Sequence, residues 1–130
     1  MNKLAEEDLA RVMEVIRHAV EAEEQNDSAF ALKIMMAVVE EFPGLAIGHS
    51  YLGWIHSRAG RHADAIEQGR AAIQLEPKSE RVSLMLFRIL WSAERRDLAF
   101  DEMKRFTAIG QSVEYAKMMQ EWNEVSDEAQ

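Results

Sequence analysis

Landmark residues recur along this chain at a fixed spacing of 34 positions. Pro43 and Pro77 are 34 apart, Ala31, Ala65 and Ala99 repeat the interval twice, and so do Asn26, Gly60 and Glu94. A period of this length restricts the chain to an array of like units. Each unit is a small supersecondary element that buries its apolar face only by stacking on the next. The trio at 26, 60 and 94 sits at or near breaks in the apolar pattern. Asn and Gly tolerate the left-handed backbone that closes a helix; Glu does so less readily.

Between these landmarks the apolar residues follow a helical period. Leu9, Val12, Met13, Ile16, Ala19 and Val20 form one stripe, and Tyr51, Leu52, Ile55 and Ala59 a second. Ala65, Ile66, Ala72 and Ile73 form a third, and Tyr115, Met118, Met119 and Trp122 a fourth. This is the i, i+3, i+4, i+7 spacing of amphipathic helices, and no segment alternates with the period of two that a strand requires. The reading is all-α, with seven helices over about 4–25, 28–42, 46–59, 62–75, 80–93, 96–109 and 112–126. Only two prolines and six glycines interrupt the 130 residues. The abundance of Ala, Leu, Met, Glu, Arg and Gln also favours helix.

Two short helices per 34 residues resembles the tetratricopeptide repeat, and residues 46–79 carry the resemblance best. There Leu52-Gly53 matches the family's Leu-Gly pair, Gly60 its turn glycine, Ala65 and Ala72 its small residues, and Pro77 its closing proline. The unit at 12–45 keeps Ala19, Ala31 and Pro43 but has His18 where Leu is usual. The unit at 80–113 keeps Leu86 and Ala99, lacks the proline, and has Phe87 where a small side chain is usual. Gly69 stands where the family places a ring, so Phe87 is expected to fill the space it leaves. The resemblance implies one domain spanning 1–130. It would be a right-handed superhelix of antiparallel helix hairpins with a capping helix at 114–126 and an acidic tail at 127–130.

Little in the residues asks for catalysis. The four histidines are His18, His49, His56 and His62. His49 and His56 lie seven apart on one helix, about 10.5 Å along its axis, too far to share an ion, and are read as packing residues. No nucleophile, zinc or phosphate-loop motif is present. Glu6-Glu7-Asp8 and Glu21, Glu23 and Glu24 read as solvated helix faces. Neither an enzyme, a cofactor nor a metal is expected. The net charge of −8 disfavours nucleic acid as a partner. The absence of cysteine, of a leader-like stretch and of a long apolar run suggests a cytoplasmic protein without a membrane segment.

A protein partner is the expectation that remains. In the family the first helix of each hairpin lines a concave face, which here implies Ile16, Val20, Tyr51, Trp54, Arg58, Arg81, Leu84, Arg88 and Trp91 as contact residues. Tyr115, Met118 and Trp122 could extend the face or simply close the core. Aromatic and arginine side chains are enriched at interface hot spots. The charge is also uneven: residues 1–45 carry a net −6, 46–113 carry +2 and 114–130 carry −4. An apolar or amphipathic segment with some negative charge fits this basic middle. The family's carboxylate clamp for heat-shock chaperone C-termini is not matched, since Ile16, Val20, Tyr51 and Met85 occupy its other positions and Arg81 alone is compatible. The array is also similar to cytoplasmic chaperones of bacterial type III secretion. Self-association as a scaffold is the third possibility, as a monomer–dimer system through the groove or through Met35 and Met36, because like-charged ends oppose long stacks.

Overall fold

A computed structural model describes residues 4–128 of the chain. It contains seven helices: α1 Glu6–Glu24, α2 Ser28–Glu41, α3 Ala46–Arg58, α4 His62–Leu75, α5 Glu80–Ser92, α6 Arg96–Thr107 and α7 Val113–Glu128. The expected helices stand, with ends moved by a residue or two. The last runs to Glu128, so the start of the expected acidic tail is helical; residues 129 and 130 lie outside the described residues. Local chemistry sets the helix starts. Glu6, Glu7 and Asp8 occupy the first turn of α1, where the helix dipole favours negative charge. The side chains of Asp27, Ser79 and Ser112 accept the otherwise orphaned N–H groups of Phe30, Val82 and Tyr115.

The 34-residue period is written into the backbone at the helix ends. Asn26, Gly60 and Glu94 all adopt positive φ, at 64°, 79° and 60°. Beside them, the N–H groups of Asp27, Arg61 and Arg95 donate to the carbonyls of Ala22, His56 and Leu90. These are three copies of one helix-closing motif. Glu94 is the strained copy: Gly60 has no Cβ and the short amide of Asn26 is tolerated there, whereas other side chains disfavour this conformation by about 1–2 kcal/mol. Glu94→Gly is therefore expected to stabilise the fold by about 1 kcal/mol, read as a higher urea midpoint at unchanged slope. A lower midpoint would show that the Glu94 side chain matters for another reason.

Each helix packs against the next in sequence from α1 to α6, and α3 also touches α1 and α5. The odd-numbered helices thus form one layer, and the even-numbered ones pack behind it. Ala31, Ala65 and Ala99 are each completely buried, so the small residue at this position marks the inner face of each even-numbered helix. The α3–α4 pair is the tightest. A Cβ on Gly53 would lie 3.0 Å from the Ala65 carbonyl oxygen, so the glycine is what lets the two backbones approach.

The space above Gly69 is filled by Leu86, whose Cδ1 would lie 2.8 Å from an added Cβ. The expectation that Phe87 fills it is therefore wrong. Adjacent positions on a helix point about 100° apart, and Phe87 turns toward α7 instead. There it stacks on Trp91 (5.8 Å between centroids) and meets Tyr115 edge-on (5.7 Å). The room a Phe needs comes from α7, which stands farther from the body than the other helices do from one another. Rings span this gap: Tyr115 reaches Phe106, and Trp122 reaches Trp91 and Phe100.

A buried polar brace ties the same region together. The Tyr115 hydroxyl donates to Ser83 Oγ (2.8 Å), and Ser83 Oγ donates to the Glu102 carboxylate (2.6 Å). Arg105 binds that carboxylate through Nε and Nη2 and reaches the Pro77 carbonyl through Nη1. Four elements are thereby joined: α5, α6, α7 and the α4–α5 turn. No helix among the described residues is long and apolar enough to cross a membrane.

Candidate functional site

The odd-numbered helices present two hollows along one groove. The larger, of about 530 Å³, lies between α3, α5 and α7 and is lined by Trp54, Ser57, Arg58, Phe87, Arg88, Ile89, Trp91, Ser92, Met118 and Trp122. The smaller, about 370 Å³, lies toward the starts of α3 and α5 and includes Met13, Tyr51, Arg81 and Met85. The rings of Tyr51 and Trp54, one helical turn apart on α3, meet edge-on at 6.3 Å and link the two hollows.

The charged side chains of the larger hollow are Arg58 and Arg88, with no acid among its lining residues. Arg58 is held in place from behind. Its Nε donates to Glu23 Oε1 at 3.0 Å, and its guanidinium lies 5.3 Å from the Trp54 ring centroid. Glu23 is only 3% exposed and also accepts a hydrogen bond from Ser28 Oγ. It is therefore not on a solvated face as its charge suggested, whereas Glu21 and Glu24 are exposed. The signal was present in the spacing: Val12, Ile16, Ala19 and Glu23 share one buried stripe of α1. An acid on such a stripe needs a partner, because an unpaired buried charge is costly.

Arg88 is freer. It lies 3.8 Å from Glu114, and both side chains are more than half exposed. Pairs of this kind contribute little and exchange readily. Trp91 is partly buried between Phe87 and Trp122 and carries the Arg96 guanidinium 4.7 Å from its ring centroid. In the smaller hollow Arg81 makes a long 3.5 Å contact to the Tyr51 hydroxyl.

The structure therefore brings Trp54, Arg58, Arg88 and Trp91 around one hollow, and Tyr51 and Arg81 around the other. Ile16, Val20 and Leu84 line neither. Ile16, 2% exposed, and Leu84, 8% exposed, are core residues and must be withdrawn as contact positions. Val20 is partly buried and packs against the core of the first two hairpins. In each case the predicted position faces a neighbouring helix, because in so short an array the inner helices bury most of their own circumference. Met118 and Trp122 of α7 complete the larger hollow as well as packing on the core.

His49 and His56 are partly buried and serve packing, whereas His18 and His62 are exposed. His49 donates Nε2–H to the Pro43 carbonyl (2.7 Å), and its Nδ1 lies 2.8 Å from the Gln68 side-chain amide, bracing α3 against the preceding turn and α4. Burial pushes the His56 imidazole below its ordinary range, an effect that nearby Asp64 partly offsets. Among the described residues, no three His, Asp or Glu side chains are placed to hold a metal ion. The Ser83–Glu102–Tyr115 cluster is sealed from solvent, so it braces the helices rather than meeting a ligand.

Solved structures share this arrangement of stacked hairpins around a groove. The first TPR of Spaghetti (RPAP3), bound to the HSP90 peptide SRMEEVD, superposes with a TM-score of 0.71 at 9% identity, covering 89% of this chain and 95% of that one. The Sgt2 TPR domain from Aspergillus fumigatus gives 0.71 at 16% identity over 92% and 81%. The chain has the tetratricopeptide-repeat fold. A MamA RS-1 double mutant gives 0.64 at 18% identity; this chain covers 55% of its length with 75% of its own. No family model matches the sequence, and no curated protein sequence matches it. Both hollows open on the side of the chain formed by α1, α3, α5 and α7. Of the helices that line them, α1, α3 and α5 carry the closing turns that repeat every 34 residues, and α7 adds Met118 and Trp122.

Proposed function

We propose that this tetratricopeptide-repeat chain is a protein-interaction module that holds an apolar or amphipathic partner segment in its concave groove. The observation that carries the reading is the larger hollow. Trp54, Trp91, Trp122 and Met118 supply apolar surface, and Arg58 and Arg88 supply charge with no acid among them. Its size falls in the range of roughly 300–1,000 Å³ typical of binding sites, and aromatic and arginine anchors are the residue types that carry interface energy. Pinning by Glu23 lowers the entropy lost when Arg58 engages a ligand. The Spaghetti domain, of the same fold, is seen with a peptide bound, which supports a segment of chain as the ligand class here.

The test compares affinity capture from native lysate by the wild-type chain and by a Trp54→Ala/Arg88→Ala variant that circular dichroism shows to be folded. Truncating two anchors typically costs 2 kcal/mol or more, so recovery of one dominant partner should fall by about thirtyfold. Equal recovery by both proteins would move the binding site off the groove.

A further inference from the structure

The apolar floor of the groove does not end at the core. Tyr115, Met118, Trp122 and Val125 follow one another at intervals of 3, 4 and 3, a single stripe along α7. The first three pack inward, but Val125 is 62% exposed, and Met119 beside the stripe is 47% exposed. Met118 and Trp122 line the larger hollow and also a shallower one shared with Glu121 and Val125. One apolar strip therefore runs from Trp54 to Val125.

Its two ends carry opposite charge. At the Trp54 end Arg58 is held by Glu23, and Arg88, only loosely paired with Glu114, is the cation able to exchange partners. Glu121 and Glu124 flank the Val125 end, and among the described residues neither pairs with a cation. A strip that is basic at one end and acidic at the other is complementary to itself after a two-fold rotation. That is the condition for an isologous dimer. A different protein would have to supply the matching polarity by coincidence, whereas a second copy supplies it by symmetry.

We propose that a second copy of this chain docks on this strip. The far end of α7 of each protomer covers the larger hollow of the other, Val125 and Met119 meeting the tryptophans and Glu121 and Glu124 facing Arg88. The net charges of the middle and last segments, +2 and −4, agree with this pairing. The like-charge repulsion that opposes head-to-tail stacking is absent, because the two-fold sets opposite charges against each other. Dimerisation and capture of a foreign segment would then compete for the same hollow, although neither reading depends on the other.

The test is sedimentation velocity over roughly a hundredfold range of concentration, where a reversible dimer reveals itself by mass action. The wild type is expected to approach twice the chain mass at the upper end. Arg88→Glu should weaken the dimer by about tenfold or more, since both strip ends become acidic. A Glu121→Arg/Glu124→Arg variant should do the same, with both ends basic. An equimolar mixture of these two folded variants should restore the dimer, because each then presents what the other lacks. A misfolded variant could not produce that rescue. A wild type that stays monomeric throughout, variants that dimerise like the wild type, or a mixture that remains monomeric would each overturn the proposal. If a monomeric wild type still captures a partner that the Trp54→Ala/Arg88→Ala variant loses, the dimer fails while the binding reading stands.

Discussion

Replacing Tyr115 with Ala is expected to lower the unfolding free energy by about 3–5 kcal/mol, the usual cost of removing a large aromatic side chain from a core. Tyr115 is fully buried and, among the described residues, is the one side chain of α7 that lies wholly inside. Its ring meets Phe87 and Phe106, and its hydroxyl completes the brace through Ser83 to Glu102. Because α7 reaches the body through rings rather than close backbone packing, little else holds its first two turns. Tyr115→Phe separates the two contributions. It keeps the ring and removes a donor, so about 1–3 kcal/mol should be lost. Urea denaturation followed by circular dichroism measures both, and a Tyr115→Ala variant within 1 kcal/mol of wild type would mean that α7 is not part of the cooperative unit. The phenol also has a pH signature. Burial pushes its pKa up from 10 to about 12. The unfolded state then loses its proton first as pH rises, so this contribution is complete below pH 10 and disappears progressively between pH 10 and about 12. Tyr115→Phe should flatten that part of the alkaline stability curve.

The second large effect is expected at Gly53. Gly53→Ala gains about 1 kcal/mol in helix propensity. The added Cβ, however, meets the Ala65 carbonyl oxygen and Ile89 Cδ1, each at 3.0 Å. A backbone oxygen cannot step aside without moving α4, so a net loss of about 1–3 kcal/mol is expected, and a larger one for Gly53→Leu. Gly69→Ala is the control. Its Cβ would be even closer to a neighbour, at 2.8 Å, but that neighbour is the end of the Leu86 side chain. A small rotation of Leu86 relieves the contact, and the propensity gain offsets most of the cost, so Gly69→Ala should lie within about 1 kcal/mol of wild type. Thermal melts of the two alanine variants side by side decide the matter. If Gly69→Ala is the more damaging, then distance alone, rather than the stiffness of what is met, governs the response.

The two glycines also show how far the residues alone could be read. Both stand at positions the repeat marks as departures from or matches to its pattern, so a close approach at Gly53 and a vacancy at Gly69 were foreseeable. Which side chain fills the vacancy was not, because Leu86 and Phe87 are equally apolar and adjacent. The choice depends on how α5 is rotated against α4, and on the distance at which α7 settles. Among the residues around the larger hollow, Trp54 and Arg88 stood out in the sequence because a ring or an arginine on an inner helix has few packing roles, whereas Trp91 packs on the core as well as lining the hollow. Ile16 and Leu84 were not distinguishable from them by position, since the same helical face turns from groove to core within one residue.

Seven helices, their pairing and the left-handed turns at 26, 60 and 94 follow from the chain itself, because a helix's period and the conformations that end it are local properties of consecutive residues. Met35, expected with Met36 to form a surface patch, is instead fully buried while Met36 is half exposed; the order of residues could not say which way α2 rolls. The burial of Glu23 behind Arg58, 35 positions away, belongs to the same class. So does the choice of Leu86 over Phe87. Each depends on side chains from different helices meeting at ångström distances, and those distances exist only once the helices have packed.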